Sequence, residues 1–210
     1  IAKKLNYKFF FLDVNYRDKK KFFLSKEYFE FITQYNSVSS IPSIQDIYEI
    51  YLIKKRSLIP NDSIIVNGQT GDFITGGHIP KNLKDVLVIN NSEKAINEYI
   101  NKNFSLWENL LKTDINYELI KNSLKNFLLI YNNKLEDYIY ESSIYEFLEY
   151  YLRQSKYIMN QQAIYDYYNY NWYMPLWNDK MILFWQGVED KYKFNQYLYK
   201  NILIKNNYGL

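Results

Sequence analysis

At 210 residues, with 26 basic against 23 acidic side chains and a net charge of +3, the chain can bury one substantial core and is close to electrically balanced. It has no cysteine and one histidine, His78, which excludes disulfides, thiolate metal sites, cysteine nucleophiles and multi-histidine zinc sites. No apolar run approaches the roughly 18 residues that cross a bilayer, and no concentrated basic face points to nucleic acid, so neither a membrane span nor a nucleic-acid partner is expected.

In chain order, Ile1–Leu5 reads as the end of a helix and Lys8–Val14 as a short, nearly continuous apolar run, the signature of a strand covered on both faces. A helix follows from Ser25 through Tyr28, Phe29, Phe31 and Ile32. Another opens at Pro42 or Ser43 and carries Ile44, Ile47, Tyr48, Tyr51 and Leu52. Pro60-Asn61-Asp62 is a turn signal, and Ser63–Val66 is a second buried-strand candidate.

Beyond Gly77 no glycine occurs until Gly187, and the spacing predicts helices. One is capped by Ser92, one by Asp114, one runs from about Leu135 to Met159, and the last from about Lys193 to Ile204. The fold expected is α/β: a parallel-sheet layer over residues 1–90 and a mostly helical part over 91–210, together one domain. The 24 tyrosines are spread over every predicted helix, which suits core packing.

The most informative segment is Val66-Asn67-Gly68-Gln69-Thr70-Gly71-Asp72-Phe73-Ile74-Thr75-Gly76-Gly77-His78, which holds four of the chain's six glycines. Glycine costs conformational entropy, so a cluster answers a local need. The segment follows a predicted strand, and open α/β sheets bind ligands just beyond the carboxyl ends of their strands. One reading is a phosphate-approaching loop in which Asp72 holds Mg²⁺. The other is a tight loop in which Asp72 satisfies its own backbone. On the residues alone both stand.

From Asn67 to His78 the segment resembles, position by position, the Ser-Gly-Glu-Gly-Ala-Asp-Glu-Leu-Phe-Gly-Gly-Tyr element of asparagine synthases, with Gly68, Asp72, Gly76 and Gly77 on matching positions. Arg153–Asn160, followed by Met174-Pro175-Leu176-Trp177-Asn178-Asp179, is similar to the family's conserved helix and Pro-Leu-Trp-Asp turn, with the aspartate one place late. The pattern looks most like the branch encoded with surface-polysaccharide genes.

The resemblance implies an ATP pyrophosphatase domain with an incomplete nucleotide-hydrolase-type core. The expected activity is an ATP-dependent ligase that adenylates a small-molecule carboxylate, releases pyrophosphate and passes the acyl group to ammonia or an amine. It implies ATP contacts from Gly68, Gln69, Thr70, Gly71, Asp72, Gly76 and Gly77, with Asp72 on Mg²⁺. Gln69 and Phe73 stand where the family has acids. The family's charge-stabilising lysine aligns nearest Gln196. Lys193, one turn earlier, is the catalytic candidate, although by itself it reads as a solvated helix lysine. His78 reads as a loop residue packed on the glycine turn. A separate glutaminase or a sugar-modifying enzyme is the implied partner, and the cytoplasm the implied setting.

The family's phosphate loop, Ser-Gly-Gly-x-Asp-Ser, has no counterpart in the chain. Two explanations follow: a fragment of a longer reading frame, or a non-catalytic remnant that binds nucleotide or serves as a scaffold.

Overall fold

Helix caps written in the sequence set much of the local structure in the computed structural model, which describes residues 2–35, 44–88, 92–104, 113–131 and 138–208. Asn15 Oδ1 accepts from the Arg17 amide at 2.8 Å and starts α1 (Tyr16–Phe22). Ser25 Oγ accepts from the Tyr28 amide at 3.3 Å and starts α2 (Lys26–Gln34), as its position predicts. Helix α3 (Ile47–Lys55) buries Ile47, Tyr48, Ile50 and Leu52. Positions 42 and 43, where the sequence opens this helix, lie outside the described residues.

Pro60 O accepts from Ser63 N at 3.2 Å in the expected turn, and β1 (Ile64–Val66) follows. A one-turn helix, α4 (Gly71–Ile74), begins five residues later, and α5 (Glu93–Asn103) comes next. Ser92 precedes α5 but sits in the left-handed region at φ 61° with no side-chain cap bond. The buried carboxylate of Glu141 takes over, accepting from Ala95 N at 2.8 Å. Helix α6 (Asp114–Ile130) is capped by Thr113, not Asp114: its hydroxyl accepts from Asn116 N at 3.4 Å.

Helix α7 (Glu141–Glu149) runs on as a wide π-helical stretch over Tyr150–Ile158, and α8 (Ala163–Tyr167) leads to β2 (Asn171–Tyr173). The sequence places the start of α7 near residue 135, outside the described residues. Helix α9 (Asp179–Gln186) and the short α10 (Asp190–Lys193) precede α11 (Tyr197–Lys205). The single helix expected over 193–204 is therefore broken. Asn195 and Gln196 take left-handed backbone at φ 54° and 61°, which ends the hydrogen-bond ladder between α10 and α11.

The described residues form a mostly helical protein with one small sheet, in which β1 pairs with β2 in parallel, Ile64 opposite Asn171 and Val66 opposite Tyr173. Two strand expectations change. Lys8–Val14 has no regular structure and leaves Phe9 and Phe11 71% and 82% exposed, because no described strand pairs with it. β1 forms, but only Ile65 turns inward while Ile64 and Val66 are exposed, the period-2 pattern of a strand covered on one face.

The chain divides into two compact units. One comprises residues 1–69, 154–178 and 203–210, and the other residues 70–153 and 179–202. In the first, Phe22, Phe31, Ile47 and Leu52 pack with Ile164, Tyr165 and Tyr168. In the second, Leu83, Ile96, Ile100, Leu124, Tyr145 and Leu148 form the core. No helix among the described residues is long and apolar enough to cross a membrane.

Candidate functional site

Beyond the carboxyl end of β1, the loop is first held within its own unit. Asn67 N donates to Tyr173 O at 3.0 Å and extends the parallel ladder by one bond. Asn67 Oδ1 accepts from the Gln69 amide at 2.9 Å, and its Nδ2 donates to the Tyr165 hydroxyl at 3.1 Å. Gln69 is fixed at both ends of its side-chain amide: Nε2 donates to Gln161 Oε1 at 2.6 Å and Oε1 accepts from Gln162 Nε2 at 2.7 Å. A Cβ at Gly68 would meet open space, so sterics do not demand glycine there.

Thr70 opens the second unit's share of the loop at φ 70°, an uncommon conformation for a β-branched residue. Gly71 begins α4, and Asp72 occupies its first turn. His78 follows six residues after Asp72, and the glycine turn between them brings the imidazole back: Nε2 lies 2.9 Å from Asp72 Oδ2. Its other nitrogen, Nδ1, lies 2.9 Å from Oε1 of Glu149, whose side chain is fully buried at the end of α7. Arg153, one turn further on, donates to the same Glu149 oxygen at 2.9 Å, and the Tyr145 hydroxyl donates to Oε2 at 3.3 Å.

This chain of charges shifts the protonation equilibria of its members. The His78 hydrogen bond holds Asp72 at a pKa of about 2, reinforced by the Phe73 amide, which donates to Oδ1 at 2.9 Å. Burial works against an ionised Glu149, but the His78 bond and the Lys102 and Arg153 charges outweigh it and hold its pKa at about 2. Burial also opposes a charged His78, yet its two carboxylate partners win and raise its pKa above the ordinary value. Both ring nitrogens then donate, so His78 in this state is an imidazolium without a free lone pair and cannot serve as a base. Lys102, lowered by burial, donates to the His78 carbonyl at 3.3 Å.

The paired glycines answer to packing. Gly76 has φ +85°, and a Cβ there would lie 2.4 Å from Lys193 O; at Gly77 it would lie 2.9 Å from Asp72 O. Lys193 is not solvated, as a helix lysine at that position is expected to be. It is 5% exposed, and its Nζ lies 2.8 Å from Glu146 Oε2. Gln196, the residue aligned nearest the family's lysine, donates from Nε2 to Thr75 Oγ1 at 2.8 Å.

Lys193 and Glu146 also border a cavity of about 410 Å³ within the second unit. Its walls include Phe73 and Ile74 from α4, Phe147 and Tyr150 near the end of α7, and Trp185 from α9. Asp72 does not line it: the consecutive residues of α4 send the carboxylate to His78 and the aromatic ring to the cavity.

Of the residues singled out in the sequence, Asp72, Gly76, Gly77 and Lys193 come together in the second unit, while Gly68 and Gln69 belong to the first. Glu146, Glu149 and Lys102 escaped the sequence reading. The signal for the two acids is a pair of carboxylates at i and i+3 on the apolar helix Ile144-Tyr145-Glu146-Phe147-Leu148-Glu149. Buried acids on such a face must find partners. No protein-family model, no curated protein and no solved structure matches the chain.

Proposed function

We propose that the chain carries the Asp72 segment of an asparagine-synthase-like ATP-dependent ligase, an incomplete nucleotide-hydrolase-type unit working in the cytoplasm. Such a ligase adenylates a carboxylate and joins it to ammonia or an amine, in keeping with surface-polysaccharide biosynthesis, and draws ammonia from a separate glutaminase where it uses ammonia.

The observation that carries this reading is the state of Asp72. The His78 hydrogen bond lowers its pKa to about 2 and its side chain is 64% exposed, so an ionised carboxylate, paired with His78, stands at the surface in the first turn of α4. Thr70, in a conformation β-branched residues rarely adopt, directs the chain into that turn.

Asp72 fits Mg²⁺ as a single ligand. Its carboxylate meets the Phe73 amide at Oδ1 and His78 at Oδ2, and the side chain stays 64% exposed, with acceptor capacity beyond those two contacts. Mg²⁺ commonly takes only one or two protein carboxylates and fills its shell with phosphate and water. No cluster of three or more His, Asp or Glu ligands exists among the described residues, which suits that arrangement better than an all-protein cage. Bound there, Mg²⁺ would supply charge neutralisation for a departing pyrophosphate. The protein's own part is to hold Asp72 ionised through His78 and to orient it through the Phe73 amide.

A second reading, a non-catalytic nucleotide-binding or scaffold unit, draws on different observations. Gly76 and Gly77 are required by contact with Lys193 and Asp72 backbone, and Lys193 is committed to Glu146. Neither fact needs a phosphate.

Calorimetric titration of Mg²⁺–ATP into this chain and into Asp72→Ala, with folding checked by circular dichroism, tests the site. Binding that the substitution abolishes supports the Mg²⁺–nucleotide site common to both readings. Turnover to pyrophosphate then separates ligase from remnant. Binding unaffected by the substitution, or no binding to either protein, overturns the site at Asp72.

A further inference from the structure

The cavity beside Glu146 and Lys193 is a second site, distinct from Asp72. Its volume, about 410 Å³, falls in the range of small-molecule pockets, roughly 300–1,000 Å³. Aromatic rings supply much of its wall: Phe73, Tyr138, Phe147, Tyr150, Tyr151 and Trp185.

Its charge is one-sided. Three carboxylates line it, Glu146, Asp179 and Asp190, against one ammonium, Lys193. That ammonium is spent on Glu146 at 2.8 Å and is nearly excluded from solvent, so it leaves little for an anion. Asp190 accepts from the buried Ser142 hydroxyl, which orients it. Asp179, in the first turn of α9, is exposed. More carboxylates than ammonium groups, set among aromatic faces, describe a receptor for an organic cation, since ring faces and carboxylates both attract positive charge and the rings also cover an apolar body.

We propose that this cavity binds a small organic amine: one ammonium group attached to an apolar or aromatic body of fewer than a dozen or so heavy atoms, sized to the pocket. The ammonium faces the exposed Asp179, on α9 rather than on the α10 turn that carries Lys193, and the body lies among the rings. A carboxylate of the same shape meets more carboxylates than ammonium groups. A neutral molecule of the same shape gains the rings but leaves the acids unanswered. The assignment needs no nucleotide and stands or falls apart from the Asp72 reading.

The test is calorimetric binding of three probes of matched shape, 2-phenylethylamine, 2-phenylethanol and 3-phenylpropionate, to this chain and to Asp179→Asn. Asparagine at an exposed first-turn position preserves the helix start, and circular dichroism confirms the fold. The amine is expected to bind about tenfold more tightly than the alcohol, with the carboxylate weakest, a preference of the size that desolvated cation–π contact and a charge pair provide. Asp179→Asn and added salt are each expected to weaken the amine by about threefold or more. Equal binding of amine and alcohol, preference for the carboxylate, an amine affinity untouched by Asp179→Asn, or no binding of the amine each overturns the proposal.

Discussion

His78 Nδ1 stands 2.9 Å from the fully buried carboxylate of Glu149, while its Nε2 stands 2.9 Å from Asp72, so one imidazole ring joins the glycine turn to the end of α7. Removing the buried partner is costly because it leaves charge without compensation. Glu149→Leu strips His78 and Arg153 of their shared acceptor, and a loss of about 3–5 kcal/mol in unfolding free energy is expected. Denaturant titration measures it, and a loss below about 1 kcal/mol would show that the pair is not stabilising in the fold.

The same three groups set a pH window. Glu149 and Asp72 have pKa values lowered to about 2 from ordinary values of 4.5 and 3.8, so their stabilisation is complete above those ordinary values and lost as pH falls toward 2. His78 is raised from 6.5, so its contribution is complete below 6.5 and lost as pH rises through its folded value. Together they give greatest stability at about pH 5 to 6, between the two edges. Thermal unfolding across pH 3–9 reads this directly. His78→Gln should flatten the alkaline edge, and an unchanged edge would move its origin elsewhere.

Gly76 tolerates no side chain. Gly76→Ala combines a φ of +85° with a Cβ 2.4 Å from the Lys193 carbonyl, and the backbone on both sides must shift. A destabilisation of about 2 kcal/mol or more is expected, larger than the ~1 kcal/mol of the left-handed conformation alone. Gly68→Ala, with nothing within 4 Å, serves as the control and should cost far less. Equal losses at both positions would refute the packing explanation.

Lys193 and Glu146 form a pair whose members depend on each other. Glu146 is pushed toward its neutral form by burial, and the Lys193 charge opposes that. Lys193→Met and Glu146→Gln are each expected to cost about 3 kcal/mol, while the double variant costs less than the sum because neither charge is then stranded. Strict additivity in this double-mutant cycle would mean that the 2.8 Å contact carries no coupling.

Helix α5 should weaken when its distant cap is removed. Glu141→Ala deletes the carboxylate that accepts from Ala95 N, and Ser92 has no side-chain bond to replace it. A loss of about 1–2 kcal/mol is expected, with faster amide exchange confined to the first turn of α5. Uniform exchange across the helix would instead indicate loss of packing.

Elements governed by local rules are legible in the amino-acid order. Ser25 at the start of α2, the turn at Pro60 and the apolar spacing of α3 all depend on groups a few residues apart. The same order singles out the glycine loop and Asp72, because a glycine cluster after a strand is costly without a local need.

The remaining features depend on contacts between segments far apart in the chain. Lys8–Val14 has strand character but no described partner to complete its hydrogen bonds, and the last predicted helix breaks where Asn195 and Gln196 turn left-handed. Glu141 caps a helix that begins 48 residues before it, and Glu149 meets a histidine 71 residues away. Lys193 is buried because Glu146 answers its charge, a fact that no neighbouring residue announces. Burial of charge is a property of the assembled pair, so it becomes readable only when distant segments share one interior.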